Sequence, residues 1–319
     1  MGSPVDIGTF SSFTMELHER SLSCNSISLF QWSVEALADI VGADCCWAGW
    51  ADLQRGEVDL CASFSHNLPV DFEGFWSDIK HEDLLAHEVM TTKSTLAHYD
   101  RYGTRQTEGM AALSDRYHIE KMAVVVADQP DNPVSLFMSA YRSGRQTRAM
   151  DQSETDFIHG ALDHVRYLAE RSAFGGNSGT VSILANARGR MLAASPDTLR
   201  FVRDRWPGWD GQALPADIYA APSLAGRRRL ADLGVVIDRR ELENRSGQSL
   251  FGITLRPINP SDRLTQRERQ IADEIASGFT YKEIARRLAL SPATVRNHTQ
   301  AILGKLNIHS KAMLSRLMS

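Results

Sequence analysis

The chain has 319 residues, 43% hydrophobic and 23% charged, and these ordinary globular proportions exclude an intrinsically disordered chain. The net charge of −4 conceals an asymmetry: residues 262–319 carry ten Lys/Arg against five Asp/Glu, a net +5, which leaves −9 for residues 1–261. A basic C-terminal part on an acidic body is typical of a nucleic-acid-binding protein with a separate regulatory part.

Sequence features that would indicate a membrane, secreted, metal-dependent or catalytic protein are missing. No apolar stretch approaches the ~18 residues that a transmembrane helix needs, and no export signal is visible. The histidines within residues 81–98 match no zinc-binding spacing, and motifs of nucleotide-binding loops, hydrolase elbows and metalloproteases are absent. The four cysteines fit neither a disulfide framework nor a zinc finger. We expect a cytoplasmic protein that is not an enzyme and needs no metal or cofactor.

The first predicted segment, residues 1–175, mixes helices with alternating strands. Its predicted elements are a short helix around Phe13, a helix at 28–41, strands at 45–50 and 58–64, a polar helical and loop region at 68–118, strands at 122–126 and 134–141 joined by a hairpin turn at 128–133, and a helix at 153–172. That last helix carries an apolar stripe at heptad-like spacing: Phe157, Ala161, Val165 and Leu168. The stripe fits packing within the chain or against the same helix of a second subunit.

Breaks at 175–179 and 259–262 separate a second segment and give the predicted domains 1–175, 176–259 and 260–319. Within the second domain we predict strands at 181–184, 190–193, 234–238 and 249–255, a hairpin turn at 186–189 and a helix at 197–206. Arg227-Arg228-Arg229 is the one basic run of the body. We expect it on a solvated helix face, with contact to an acidic ligand or phosphate as the alternative.

The element order of the first segment resembles a GAF/PAS-like sensor fold, a central antiparallel sheet covered on one face. Residues 176–259 resemble a smaller PAS-like unit. In such folds a small molecule sits between the sheet and the helical insert. The resemblance implies an effector pocket drawn from the aromatic residues of this region: Trp47, Phe64, Phe72, Phe75, Trp76, Tyr99 and Tyr102. The aromatic and acidic spacing of acyl-homoserine-lactone readers is absent, with Trp76 and Asp83 the nearest candidates, so a lactone is not expected.

The C-terminal part carries local signals for a compact group of helices. Thr265 and Glu268 form a capping box at the start of the first helix, and Gly278 is suited to its end. Ser291 caps a third helix whose first position is Pro292, where a missing N–H costs nothing. Residues 289–291 form the turn between the second helix and the third.

The third helix presents side chains suited to reading DNA. Arg296, Asn297 and Gln300 share its outer face and are the predicted base contacts, because arginine pairs with guanine and the amides pair with adenine. Predicted phosphate contacts surround them: Lys282, Arg286, Arg287, Thr294 and Lys305.

These residues lie in a pattern that resembles the LuxR-type helix-turn-helix: Leu264-Thr265-x-Arg267-Glu268, Gly278, Lys282-Glu283-Ile284-Ala285, Leu288, Ser291, Thr294-Val295, His298, Ile302 and Lys305-Leu306. The resemblance implies an all-α four-helix domain, with residues 310–318 as a dimer-forming fourth helix. The predicted fold class is therefore α+β: GAF/PAS-like antiparallel-sheet sensor domains followed by a helical DNA-binding domain.

The sequence predicts a homodimeric transcriptional regulator that binds double-stranded DNA. Its sensory region would bind a small organic effector and control dimer arrangement and operator binding. The alternative is a regulator whose body senses a protein partner or a redox state, in which case Cys46 is the residue to test.

Overall fold

The computed structural model describes residues 5–53, 56–127, 134–172, 180–219, 226–242 and 248–318. The predicted hairpin turn at 128–133 and the predicted break at 175–179 lie outside these ranges. The chain forms two compact units, Met1–Arg228 with Val236–Arg256 and Arg229–Val235 with Pro257–Ser319. The division into three domains stays a prediction.

The first unit begins with a five-stranded antiparallel sheet and six helices. The strands are β1 (Cys45–Asp52), β2 (Asp59–His66), β3 (Leu96–Asp100), β4 (Lys121–Ala127) and β5 (Val134–Arg142). The helices are α1 (Ile7–Ser21), α2 (Ser26–Val41), α3 (Phe72–Ile79), α4 (Leu84–Thr92), α5 (Glu108–Tyr117) and α6 (Gln152–Ser172). The strand order is β2-β1-β5-β4-β3.

One face of this sheet is covered by α1, α2 and α6. Asn25 begins α2 by accepting hydrogen bonds from the backbone N–H groups of Ile27 and Ser28, and Gly42 ends it at a φ of +62°, which glycine adopts without strain. The apolar stripe of α6 lies buried in the same core as Phe13 and Leu17 of α1. The stripe therefore packs within its own chain, which is one of the two arrangements predicted from the sequence.

The other face is covered by α3, α4 and α5, so β1 and β5 are buried along their whole length. Cover on one face alone was expected, and that expectation was wrong because the helices of the 68–118 region also bury the second face. This region also contains β3, which the sequence did not predict. The strand is only five residues long, and it joins the sheet through β4 at the outer position.

A second five-stranded sheet follows in the order β7-β6-β10-β9-β8, with antiparallel pairing of β6 to both β7 and β10. Its strands are β6 (Val181–Asn186), β7 (Met191–Ala194), β8 (Gly226–Leu230), β9 (Val235–Leu242) and β10 (Leu250–Pro257). Two helices accompany it, α7 (Pro196–Arg205) and α8 (Ala216–Tyr219). The run Arg227–Arg229 lies on strand β8, so the prediction of a helix was wrong. Three consecutive charges lack the alternation of a strand with one buried face, but the arginines on both faces of β8 are exposed.

The two sheets of the first unit meet along the free edge of β2. The Asn186 side chain donates to the backbone oxygen of Cys61 at 2.9 Å, and the Gln248 side chain accepts from the backbone N–H of Ser63 at 3.1 Å. The buried carboxylate of Asp52 forms an ion pair with Arg190. Side chains at the end of β6 and just before β10 thus satisfy backbone groups that an edge strand would otherwise expose.

The second unit holds the C-terminal helices α9 (Gln266–Ala276), α10 (Tyr281–Arg287), α11 (Pro292–Leu306) and α12 (Lys311–Met318). The predicted capping box is present, because Thr265 accepts from the N–H of Glu268 while the Glu268 carboxylate accepts from the N–H of Thr265. One apolar core joins the four helices, and its fully buried members are Ile271, Ala272, Ile284, Val295, Ile302 and Leu314. The predicted four-helix module is confirmed.

Candidate functional site

Helix α11 is held by its cap and by its buried face. The Ser291 hydroxyl accepts from the backbone N–H of Thr294 at 3.0 Å, and Pro292 occupies the first helical position. Val295 and Ile302 are fully buried beneath the helix. These anchors fix both the start of α11 and its rotation about its own axis, which decides the side chains that it presents to solvent.

The outer face of α11 presents Arg296, Asn297 and Gln300, and all three are exposed. Arg296 forms no ion pair with another residue in the described part of the chain. The structure therefore places the three predicted base-contacting residues together on one exposed helical surface.

The predicted phosphate contacts differ in their surroundings. Lys282 and Arg286 are exposed and form no ion pair within the described residues. Arg287 instead lies 2.7 Å from Glu274, and Lys305 lies 2.7 Å from Glu268, where it lowers the pKa of that carboxyl below its usual value.

The Thr294 hydroxyl is also engaged, since it shares a hydrogen bond of 2.8 Å with the capping hydroxyl of Ser291. Lys282 and Arg286 are thus the cations most available to a phosphate, whereas Thr294, Arg287 and Lys305 have partners within the module.

An open groove between the starts of α10, α11 and α12 contains Lys282, Arg296 and Lys311. Sequence reasoning missed Lys311 as a charge of this groove, because only the packing of α12 against α9 brings it there. Its ammonium lies 3.5 Å from the ring centroid of Tyr281. Thr280 was also missed as the cap of α10, although Glu283 three residues later is the signal of a capping box.

A second candidate site is a cavity of about 60 Å³ between the first sheet and α3, α4 and α5. Its walls are mainly apolar, with Met110, Leu113 and Val124 among them. Polar groups come from Asp83, Ser139 and Tyr141. The cavity lies where the sequence predicted an effector, between the sheet and the helical insert.

The seven predicted pocket aromatics do not all meet in this cavity. Trp47 and Trp76 line it, with their rings in edge contact at 4.7 Å between centroids. The Phe72 ring contacts the Trp47 ring at 5.6 Å between centroids, but Phe72 is not among the residues that line the cavity.

The other four aromatic residues lie elsewhere. Phe75 contacts Tyr117 on the outside of α3, and the Tyr99 hydroxyl donates to Gln106 at 2.6 Å. Phe64 points to the opposite face of the sheet, and Tyr102 is exposed.

Asp83 is the charged group of the cavity. Its carboxylate accepts a hydrogen bond of 2.8 Å from the Trp76 indole N–H and caps α4 through the N–H groups of Leu85 and Ala86. Burial nevertheless raises the pKa of Asp83 above its usual value, because desolvation outweighs these three hydrogen bonds. Burial likewise raises the pKa of Tyr141, which lines the same cavity. These groups offer a ligand hydrogen bonds inside an apolar enclosure.

Three of the four cysteines lie in surroundings that disfavour the thiolate. Cys46 is completely buried, and desolvation raises the pKa of its thiol well above the usual range. Burial also raises the pKa of Cys45 to about 12 and raises that of Cys61. Because the thiolate is the reactive form, these three side chains lack the property that oxidant sensors need. Cys24 is half-buried.

Among the residues that the structure describes, no helix combines the length and apolarity needed to cross a bilayer. Within the same residues, no three His, Cys, Asp or Glu side chains are grouped so as to hold a metal ion.

Residues 262–318 match the family "Bacterial regulatory proteins, luxR family". The chain is 46% identical over 57 residues to the transcriptional regulatory protein UhpA of Escherichia coli, an alignment that covers 18% of this chain and 29% of UhpA. It is 45% identical over 53 residues to a nitrate/nitrite response regulator protein homolog of Haemophilus influenzae, an alignment that covers 17% of this chain and 26% of that protein. The chain thus spans less than a third of the length of these relatives.

Among solved structures, Escherichia coli SdiA aligns over 97% of this chain and 96% of that chain, with 12% sequence identity and a TM-score of 0.40. The likeness of the body to GAF and PAS domains stays a prediction. The C-terminal module is different, since the family match coincides with its four helices and their caps. Residues 262–318 therefore form a helix-turn-helix domain of the LuxR family.

Proposed function

We propose that the protein is a DNA-binding transcriptional regulator whose N-terminal region binds a small organic effector and so controls dimer arrangement and operator binding. The observation that carries this proposal is α11, capped and anchored along one face while Arg296, Asn297 and Gln300 are exposed on the other. The LuxR-family match of residues 262–318 supports it.

The chemistry of DNA recognition divides between two sets of side chains. Arg296 suits a guanine, whose O6 and N7 accept two parallel hydrogen bonds, and Asn297 and Gln300 suit an adenine. Lys282 and Arg286 would neutralise phosphates, which fixes register and makes affinity depend on salt without reading the sequence. Arg287 and Lys305 would have to exchange a carboxylate partner for a phosphate, so we assign them a smaller share of the phosphate binding than Lys282 and Arg286.

The cavity beside Asp83 supports effector binding. Its volume of about 60 Å³ is several times the roughly 10–15 Å³ that one water needs. A compact apolar molecule with a hydrogen-bonding group fits this combination of Met110, Val124 and Asp83. A larger effector would require α3, α4 and α5 to move away from the sheet.

Dimerisation is supported by α12. Its side chains Met313 and Leu317 are 48% and 38% exposed although both are apolar, while Leu314 is buried inward. An apolar outer face on the last helix fits the dimer-forming role that the family resemblance implies. A two-fold dimer would bind half-sites about one helical turn apart, ~10 base pairs.

The experiment that tests DNA reading compares two variants of the full chain on a duplex selected by the wild type from a random pool. Arg296→Ala should lower discrimination against a changed base pair at one position by about 1–3 kcal/mol. Lys282→Ala should weaken binding equally on all duplexes and reduce the salt slope by about 0.9. Fluorescence anisotropy titrations at several KCl concentrations measure both quantities.

Arg105→Ala is the matched control, because it removes an exposed arginine that lies outside the helix-turn-helix domain. It should change neither the base discrimination nor the salt slope. Equal loss of specificity from Arg296→Ala and Lys282→Ala would contradict the assigned roles. A wild-type protein that selects no sequence from the pool would overturn the proposed function.

A further inference from the structure

A second cavity of the first unit lies at the edge of the first sheet, beside β2. Its volume is about 250 Å³, compared with about 60 Å³ for the cavity beside Asp83. Residues of α2, β2 and α3 line it, together with Gln248 just before β10, and Trp47 lines both cavities. The volume is many times the roughly 10–15 Å³ that one water needs and approaches the ~300 Å³ of the smallest common ligand pockets. This cavity can therefore hold a small organic molecule.

The charged side chains of this second cavity favour a cation. Glu35 of α2 and Glu73 of α3 both line it, and none of the described residues that line it is a lysine or an arginine. Glu73 accepts a hydrogen bond from the buried Ser63 hydroxyl and forms no ion pair with another described residue. Carboxylates are ionised at neutral pH. An ammonium group that enters the cavity would therefore gain two negative partners and meet no positive one among these residues.

The apolar side chains of the same cavity suit the hydrocarbon part of such a molecule. Val34, Trp47, Phe64 and Phe72 line it, and all four are buried. The rings of Trp47 and Phe72 are in edge contact at 5.6 Å between their centroids. Aromatic rings attract a nearby cation at their faces, and they remove an alkyl chain from water. The cavity thus combines acidic groups with an apolar enclosure.

We propose that the second cavity binds a small primary amine whose ammonium group contacts Glu35 and Glu73. A primary ammonium carries three N–H donors, which suits two carboxylates better than a quaternary ammonium with none. The short apolar chain of the amine would lie against Val34, Phe64 and Phe72. This site is separate from the proposed effector cavity, and amine binding does not depend on DNA binding.

Amine binding would act on the joint between the two sheets of the first unit. Ser63 lies at this joint, since its hydroxyl donates to Glu73 and its backbone N–H donates to the side chain of Gln248 at 3.1 Å. All three residues line the second cavity. A ligand at Glu73 would therefore contact the same carboxylate that holds the Ser63 hydroxyl.

The test titrates the full chain with n-butylammonium chloride in a calorimeter. Butan-1-ol is the matched neutral compound, because it has the same carbon chain and no charge. His66 also lines the cavity, so the titrations are run at pH 8, at which free imidazole is neutral whereas carboxylates and alkylammonium ions are charged. The wild type should bind butylammonium more tightly than butanol by about tenfold or more, since hydrogen bonds to a charged group typically contribute such a factor.

The decisive variant is Glu73→Gln, which removes the charge and keeps an oxygen that can accept from the Ser63 hydroxyl. It should weaken butylammonium binding by about tenfold and leave butanol binding unchanged. The matched control is Glu108→Gln, because Glu108 is an exposed glutamate in the first turn of α5, as Glu73 is in the first turn of α3. Glu108→Gln should bind butylammonium as the wild type does.

Several results would overturn this inference. A wild type that binds no butylammonium, or binds butanol equally well, would show that the cavity does not select a cation. Unchanged affinity in Glu73→Gln would show that Glu73 only holds Ser63, and an equal loss in Glu108→Gln would show an effect of net charge alone. A loss in Ala86→Phe but not in Glu73→Gln would place the amine in the cavity beside Asp83 instead. Each of these results would leave the proposed DNA binding intact.

Discussion

The predicted DNA contacts on the helix-turn-helix domain and two carboxyl groups of the body lie in opposite surroundings. Around α11, Arg296 and Lys282 are exposed to solvent. In the body, Asp52 is 3% exposed beside Arg190, and Asp83 lines the cavity between the first sheet and its helices. Exposed charges can exchange water and ions for DNA at little expense in stability, whereas buried charges are costly unless their partners stay in place. We therefore expect removal of Lys282 or Arg296 to cost little stability and removal of Arg190 to cost much.

The largest expected effect is the loss of Arg190. Arg190→Met removes the Arg190 guanidinium from the buried Asp52 carboxylate and should lower the free energy of unfolding by about 3–5 kcal/mol. Urea unfolding of the full chain, followed by tryptophan fluorescence, measures this change. Arg188→Met is the control, because the side chain of Arg188 is 63% exposed and its removal should cost about 1 kcal/mol or less. Equal losses would show that the Asp52–Arg190 pair does not differ from a surface contact.

An intermediate effect is expected from filling the cavity. Ala86→Phe places a ring in the space beside Asp83 and should cost about 1–3 kcal/mol of stability. It should also abolish any rise in melting temperature that a metabolite extract of the host gives with the wild type. The control is Ala112→Phe, the same substitution at an exposed position of α5. Retention of the rise in Ala86→Phe would contradict effector binding in this cavity.

The smallest expected effect is a change in pH dependence. Because the pKa of Asp83 is raised in the folded state, its contribution to stability is fully present below the unfolded value of about 3.9 and is lost as the pH rises through the folded pKa. Asp83→Asn should flatten this decline. Asp115→Asn should remove a contribution of the opposite sign. Arg101 lowers the pKa of Asp115 in the folded state, so the stability that Asp115 contributes is lost as the pH falls. The test measures the free energy of unfolding of the wild type and of both variants from pH 3 to pH 8. A pH dependence in Asp83→Asn equal to that of the wild type would contradict the raised pKa of Asp83.

The same contrast explains which features the sequence could predict. The caps at Thr265 and Ser291, the turn before α11 and the outward face of Arg296 follow from residues that are neighbours along the chain, and all are present. The antiparallel strands of both sheets were largely predicted for the same reason, since period-two alternation is local.

Features that depend on distant residues were not predictable. β3 is a strand because β4 pairs with it, and its five residues show too little alternation by themselves. The partner of Asp52 is 138 residues away at Arg190. Phe64 and Trp47 could not be assigned to opposite faces without the register of β1 against β2. The assignments of DNA contacts and effector residues stay predictions.

The side-chain cover on β2 also has a consequence during synthesis on the ribosome. The groups that satisfy its edge arrive late, because Asn186 follows Cys61 by 125 residues and Gln248 follows Ser63 by 185. At translation rates of about 5–20 residues per second, the nascent chain carries an open strand edge for roughly 10–40 s. Chaperone demand should therefore be greatest in that interval and should fall once the second sheet has emerged.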